Sequence, residues 1–147
     1  MSLHLEDQLC FSLYRAARSV IRSYAPLLEE LGITYQQYLM LMILWDSEEP
    51  VTLESMEKRL QPESGTFEGL VQGLEESGLA TVENGTVTIT QKGIDLKPRA
   101  VCIPETILNE YRKSGVDLVE FRESLEIVRE AGEALSLIHI SEPTRLL

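Results

Sequence analysis

The stretch TLESMEKRLQPESGTFEGLVQGLEESGLATVENGTVTIT, residues 52–90, decides the fold. Thr52 has the chemistry of a helix cap, and Leu53, Met56 and Leu60 fall on one side of the short helix it starts. Gln61-Pro62-Glu63 reads as a turn, because proline disfavours helix at the residue before it. A further helix starts at Glu63 or Ser64 and runs to about Ser77, with Phe67, Leu70, Val71 and Leu74 apolar, and Gly78 ends it. Two short helices joined by a tight turn form a helix-turn-helix pattern. The period then switches from helical to alternating. Asn84-Gly85 sits between Leu79–Glu83 and Thr86–Thr90, and Asn-Gly between β-branched runs is a strong hairpin signal. A helix-turn-helix followed by a hairpin outlines a winged helix.

On the N-terminal side, residues 6–30 place Leu9, Leu13, Ala16, Ala17, Val20, Ile21, Tyr24, Leu27 and Leu28 at three- and four-residue steps. That is one apolar stripe on one helix, kinked or restarted at Pro26 and stopped by Gly32. Thr34 caps a second helix over 35–46, apolar nearly all round and therefore central, with Trp45 in the core. Asp46 to Pro50 is an acidic turn. On the C-terminal side a helix runs from Gln91 to Ala100 or on past Pro104, and a last one from Val116 to Leu135. The fold class is mainly α with a small β-hairpin, a winged helix-turn-helix flanked by N- and C-terminal dimerisation helices. The predicted organisation is 1–45 for the N-terminal helices, 46–90 for the winged domain, 91–137 for the C-terminal helices, and 138–147 as a vector-derived tail without period. The terminal stripes are too broad for the small central domain alone, so they predict a homodimer.

Composition sets further bounds. The chain has 147 residues, with 13 Lys+Arg against 24 Asp+Glu, a formal charge of −11. Such a balance argues against generic binding to nucleic acid or anionic membrane. No apolar run approaches the ~20 residues of a membrane span and no signal peptide opens the chain, so a cytoplasmic protein is expected. Cys10 and Cys102 do not make a disulfide scaffold, and with His4 and His139 far apart no metal site is expected. No cofactor motif is present.

Several segments resemble the MarR family of winged-helix regulators, and specifically its organic-hydroperoxide-sensing branch. They are Leu9-Cys10-Phe11-Ser12-Leu13-Tyr14, Tyr24-Ala25-Pro26-Leu27-Leu28, Leu31-Gly32-Ile33-Thr34-Tyr35, Glu63-Ser64-Gly65-Thr66, Leu74-Glu75-Glu76-Ser77-Gly78-Leu79 and Ile103-Pro104-Glu105. The resemblance implies that Cys10 is a redox sensor for organic hydroperoxide, with Tyr24 and Tyr35 as phenolic donors around its thiolate. Tyr14, one helical turn from Cys10, can line the same pocket. Read without the resemblance, Cys10 is a small buried hydrophobe and the tyrosines are core. Some relatives carry a resolving cysteine after the Ile-Pro segment. Cys102 precedes Ile103-Pro104, which implies one-cysteine chemistry with a small-molecule thiol and a structural Cys102.

The resemblance also implies DNA as partner, and there the residues pull the other way. Residues 61–90 contain no Lys or Arg but five acids, Glu63, Glu68, Glu75, Glu76 and Glu83. The wing has shrunk to a two-residue Asn84-Gly85 turn. Candidate DNA contacts are Lys58, Arg59, Ser64, Thr66 and Gln72, few against the roughly 6–10 phosphates of a specific binder. Two functions follow: a MarR-type transcriptional regulator answering organic peroxide through Cys10, or a MarR-like chain that contacts a protein partner instead of DNA. A thiol peroxidase is the weaker third reading, because no activating His or Arg motif accompanies Cys10, and the chain is not expected to be an enzyme.

Overall fold

Helix α1, Leu9–Glu29, runs unbroken through Pro26 in the computed structural model, which describes residues 3–141. The helix does not restart at the proline, and it ends in a turn at Gly32, φ 70°. Helix α2, Tyr35–Asp46, opens with a capping box. Thr34 Oγ1 accepts from Gln37 N at 3.1 Å, and Gln37 Oε1 accepts from Thr34 N at 3.0 Å. The amide of the same glutamine reaches away from its own helix and donates to Ser77 Oγ at 2.9 Å and Gly73 O at 3.5 Å.

The helix-turn-helix consists of α3, Leu53–Leu60, and α4, Phe67–Glu76. Thr52 caps α3 as expected, accepting from Ser55 N at 3.1 Å. The start of α4, at Phe67, lies three to four residues later than the expected Glu63 or Ser64. Gly65 takes φ 81°, a left-handed turn in which the Glu63–Ser64 segment cannot be helical, and Thr66 spends its hydroxyl on Glu63 O. Strand β2, Ala80–Glu83, and strand β3, Thr86–Ile89, form the expected hairpin, with Val82 opposite Val87. A third strand, β1, Val51–Thr52, lines up beside β3 to give the order β1-β3-β2. Two residues are too few to carry a period of their own, so the strand is invisible in the sequence.

Around α2 lies the core of this unit. Met40, Leu41 and Met56 are fully buried, and Leu74, Leu79 and Val87 nearly so. Each such side chain contributes about 1.5–3 kcal/mol of hydrophobic stabilisation. Trp45, expected as core, is half-buried. Its indole N–H donates to Gly93 O at 3.0 Å, which ties α2 to α5, Gln91–Ala100. Chain contacts divide the molecule after Pro104.

Helix α5 ends at Ala100, the first of the two limits expected, and α6, Ile103–Arg112, is separate from it. In the second unit, residues 105–147, Arg112 bridges Glu105 at 2.5 Å. A turn at Gly115, φ 81°, leads to Asp117, whose carboxylate accepts from Val119 N and Glu120 N at 3.1 Å and so caps α7, Leu118–Ser141. Helix α7 extends six residues beyond the expected end at Leu135, into the segment read as a tail; 142–147 lie outside the described residues. Val119, Phe121, Val128 and Leu135 remain exposed along it.

Candidate sensor and DNA-reading sites

Three tyrosines form one aromatic cluster where α1 crosses α2. Tyr24 and Tyr35 meet edge to face with ring centres 5.2 Å apart, and Tyr38 lies tilted against Tyr24 at 5.8 Å and stacked on Tyr35 at 6.4 Å. Such contacts favour a fixed ring geometry and add about 0.5–1.5 kcal/mol per pair. Tyr24 and Tyr35 were expected together; Tyr38 was not. Its spacing of three residues from Tyr35 on a helix was the available signal. Burial pushes the Tyr35 phenol up, and pushes Tyr38 up to about 12, with the neighbouring Tyr24, Tyr35 and Cys102 adding to it. These hydroxyls therefore stay protonated through neutral pH and can donate hydrogen bonds to an anion.

Cys10 is not in that cluster. It lies exposed near the start of α1, fourteen positions before Tyr24 on the same continuous helix. At 1.5 Å per residue those two sites are about 21 Å apart along the axis. Within one chain Cys10 therefore does not meet Tyr24. The bland reading of Cys10 as a buried hydrophobe fails as well, since the residue is exposed. Tyr14 is exposed one turn beyond Cys10, and its hydroxyl accepts from Arg18 Nη1 at 3.3 Å while the guanidinium rests 5.4 Å from its ring centre. Arg15 lies similarly over Phe11, 5.3 Å from the ring centre. Cys102, read from sequence as structural, is exposed in the turn between α5 and α6, with its Sγ 3.9 Å from Arg99 O. Among the described residues no group of three His, Cys, Asp or Glu side chains is placed to hold a metal.

The candidate DNA contacts lie on α3, on α4 and in the turn between them. Lys58 and Arg59 lie in the last turn of α3, and Arg59 pairs with Asp46 at 3.8 Å, an exposed contact worth little. Along α4, Val71 and Leu74 face inward while Glu68, Gln72, Glu75 and Glu76 are exposed, and Gln72 Nε2 bonds Glu76 at 2.9 Å. Ser64 is exposed in the turn before the helix, and Thr66 is held by Glu63. Three of the five acids counted in the sequence, Glu68, Glu75 and Glu76, are therefore exposed along α4, while Glu63 lies in the turn before it and Glu83 at the end of β2. No helix among the described residues is long and apolar enough to cross a membrane.

A regulator of organic hydroperoxide resistance from Bacillus subtilis is 38% identical over 135 residues, spanning 87% of this chain and 91% of its own. The chain belongs to the MarR family of winged-helix transcriptional regulators. No family profile matches it. MosR of Mycobacterium tuberculosis superposes with a TM-score of 0.78 at 25% identity, over 89% of this chain and 99% of the other. Reduced AbfR of Staphylococcus epidermidis bound to DNA gives 0.69 at 30% identity, over 89% and 94%. These MarR-family relatives are regulators rather than enzymes. In this MarR chain α4 carries Glu68, Glu75 and Glu76, and the wing turns at Asn84-Gly85.

Proposed function

We propose that this chain is a homodimeric, DNA-binding transcriptional regulator in which Cys10 reacts with organic hydroperoxide and Tyr24 and Tyr35 of the second copy complete its pocket. One observation carries the reading: Tyr24 and Tyr35 meet in one aromatic cluster, with the thiol they would serve about 21 Å from Tyr24 along the same helix. A second copy is the economical way to bring the two together. Leu9 and Ile21 on α1 are exposed apolar residues, and so, in the second unit, are Phe121, Val128 and Leu135 on α7; each set offers apolar surface for a second copy to cover.

The chemistry balances with one cysteine. The Cys10 thiolate attacks the terminal oxygen of the hydroperoxide and the O–O bond breaks. Sulfur becomes a sulfenic acid, and the alkoxide takes a proton and leaves as the alcohol. A small-molecule thiol then condenses with the sulfenic acid, releasing water. Phenol donors stabilise the thiolate and the developing alkoxide charge.

The DNA-bound structure of AbfR and the regulator from Bacillus subtilis support DNA contact over a purely protein-directed role. Reduced protein is expected to bind a fragment of its own promoter in fluorescence polarisation. One equivalent of cumene hydroperoxide per Cys10 is expected to release it, with a dimedone adduct on Cys10 by mass spectrometry. An unmodified Cys10 after treatment overturns the sensor; failure to bind any promoter fragment at micromolar dimer and low salt overturns the regulator.

The acidic face gives this binding a measurable signature. With only Lys58 and Arg59 on the reading segment of each copy, few counterions are released on contact. The plot of log affinity against log salt is expected to be no steeper than about −4, where a binder with 6–10 phosphate contacts gives roughly −5 to −9. A slope beyond about −7 would assign the contacts to other cations, with Arg15, Arg18 and Arg22 of α1 the first to test.

A further inference from the structure

We propose that the arginine-bearing side of α1 docks the outward side of α4 in another copy of this chain, and that this contact hides the recognition helix. Arg15, Arg18 and Arg22 are exposed and lie within about 60° of arc on α1. They stand at least about 120° around the helix from Tyr24, which meets α2. The one acid of α1, Glu29, is its last residue. A groove of about 630 Å³ follows the arginine side from Phe11 to Arg22. Arg15 lies over Phe11 and Arg18 over Tyr14, so two of the three guanidiniums are steadied by aromatic rings. Among the described residues none of the three is paired with a carboxylate.

The occupant is another copy because its α4 matches that side in charge and in spacing. Glu68 and Glu75 are exposed seven residues apart, as Arg15 and Arg22 are. Seven residues rise about 10.5 Å and return to within about 20° of the same side of a helix. With the two helices antiparallel, Arg15 meets Glu75 and Arg22 meets Glu68. Arg18 then falls level with Gln72, because the steps of three and four residues also agree. Gln72 commits its amide nitrogen to Glu76, which leaves its carbonyl oxygen to accept from Arg18.

Exposed ion pairs are individually weak and screened by salt, so the contact is reversible and salt-sensitive. Each homodimer of the reading above carries two arginine sides and two acidic ones, and the repeated contact links dimers head to tail. The pairing of α1 with α4 does not depend on Cys10 or on DNA, while the masking of the recognition helix rests on the regulator reading.

The test is sedimentation velocity of the full chain under a reductant, at about 20 mM and about 500 mM NaCl, where charges act over roughly 20 and 4 Å. At about 0.2 mM chain the weight-average mass is expected to exceed the dimer by about half in low salt, and to return to the dimer in high salt. Arg15→Glu/Arg18→Glu/Arg22→Glu and Glu68→Lys/Glu75→Lys are each expected to remain dimeric in low salt. Their equimolar mixture is expected to associate again, since each lends the side the other lacks. Arg15→Ala/Arg22→Ala and Glu68→Gln/Glu75→Gln, expected to lose at least about half of the excess mass, repeat the test should a charge reversal fail to fold.

Equal masses at the two salt concentrations overturn the contact. So does association that persists in either reversed variant, or a mixture that stays dimeric. Arginine reversal that lowers promoter affinity and leaves association intact assigns this side of α1 to DNA phosphates, and overturns the proposal. A chain that is monomeric in high salt and dimeric in low salt keeps the contact and overturns the apolar homodimer instead. Saturating promoter duplex is expected to dissolve the low-salt assemblies, because it competes for α4. Assemblies that survive on bound duplex overturn the masking and leave the contact. A chain that binds no duplex fails the regulator reading, and sedimentation without DNA still decides the contact.

Discussion

Mixing two unresponsive variants, Cys10→Ser and the Tyr24→Phe/Tyr35→Phe pair, is expected to restore peroxide reactivity to half of the sites in the mixed dimer. Alone, Cys10→Ser has no sulfur to oxidise and loses the reaction completely. The double tyrosine variant keeps the thiol but loses two donors to charged oxygen or sulfur. Hydrogen bonds to charged groups are worth about 1.5–3 kcal/mol each, so losing two should slow formation of its sulfenic acid about 10²–10⁴-fold. In a mixed dimer one Cys10 faces the intact tyrosines of the serine-bearing copy and regains the fast phase. Were the pocket built within a single chain, every copy in the mixture would remain defective. Stopped-flow oxidation, after the two variants are unfolded together and refolded, separates these outcomes. No recovered fast phase, with mixed dimers confirmed by native mass spectrometry, rejects the shared pocket.

Gly93→Ala is expected to be the most damaging single methyl group in the winged domain. Gly93 is buried in the first turn of α5, where an added Cβ would lie 2.6 Å from Leu79 O and 2.7 Å from Ile89 Cγ1. The first of these is backbone and cannot rotate away. Leu79 O also accepts from Thr90 N at 3.0 Å, so moving it disturbs the link between the hairpin and α5. Gly93 O meanwhile receives the Trp45 indole at 3.0 Å. Overpacking of this kind costs about 3 kcal/mol, which in a chain of this size lowers Tm by roughly 10 °C. Differential scanning calorimetry checks it, and an unchanged Tm would show that the wing relaxes without cost. Trp45 emission reports the same disruption locally.

The fold was readable from residues 52–90 because each decisive signal there is local. Thr52 caps, Pro62 turns, Gly78 stops, and Asn84-Gly85 reverses a chain of alternating β-branched residues. What escaped was set by partners distant in sequence. Val51 and Thr52 become a strand only because β3 lies beside them. Trp45 is held half-exposed by a carbonyl 48 positions away. Pro26 reads as a break, yet α1 accommodates it, and nothing in the flanking residues announced that. The candidate site was legible in kind but not in place. Tyr24 and Tyr35 meet as the resemblance implied, whereas the uninterrupted helix puts Cys10 far from both, and helix periodicity says nothing of a second chain. Tyr38 went unnoticed because an apolar neighbourhood made it look like ordinary core.

Gln37 answers to two requirements at once. Its carbonyl oxygen completes the cap of α2, and its amide nitrogen holds the far end of α4. Glutamate at this position could still cap, since a carboxylate accepts from the Thr34 amide as well as a carbonyl does. It could not donate to the Gly73 carbonyl, and its charge would face the negative pole of the α4 terminus. Asparagine keeps both functions but is one methylene shorter. The folding signal of one helix and the anchorage of another are thus written in a single side chain. A lineage that changes how freely its recognition helix moves cannot do so at this position without also fraying the helix that carries Tyr35 and Tyr38.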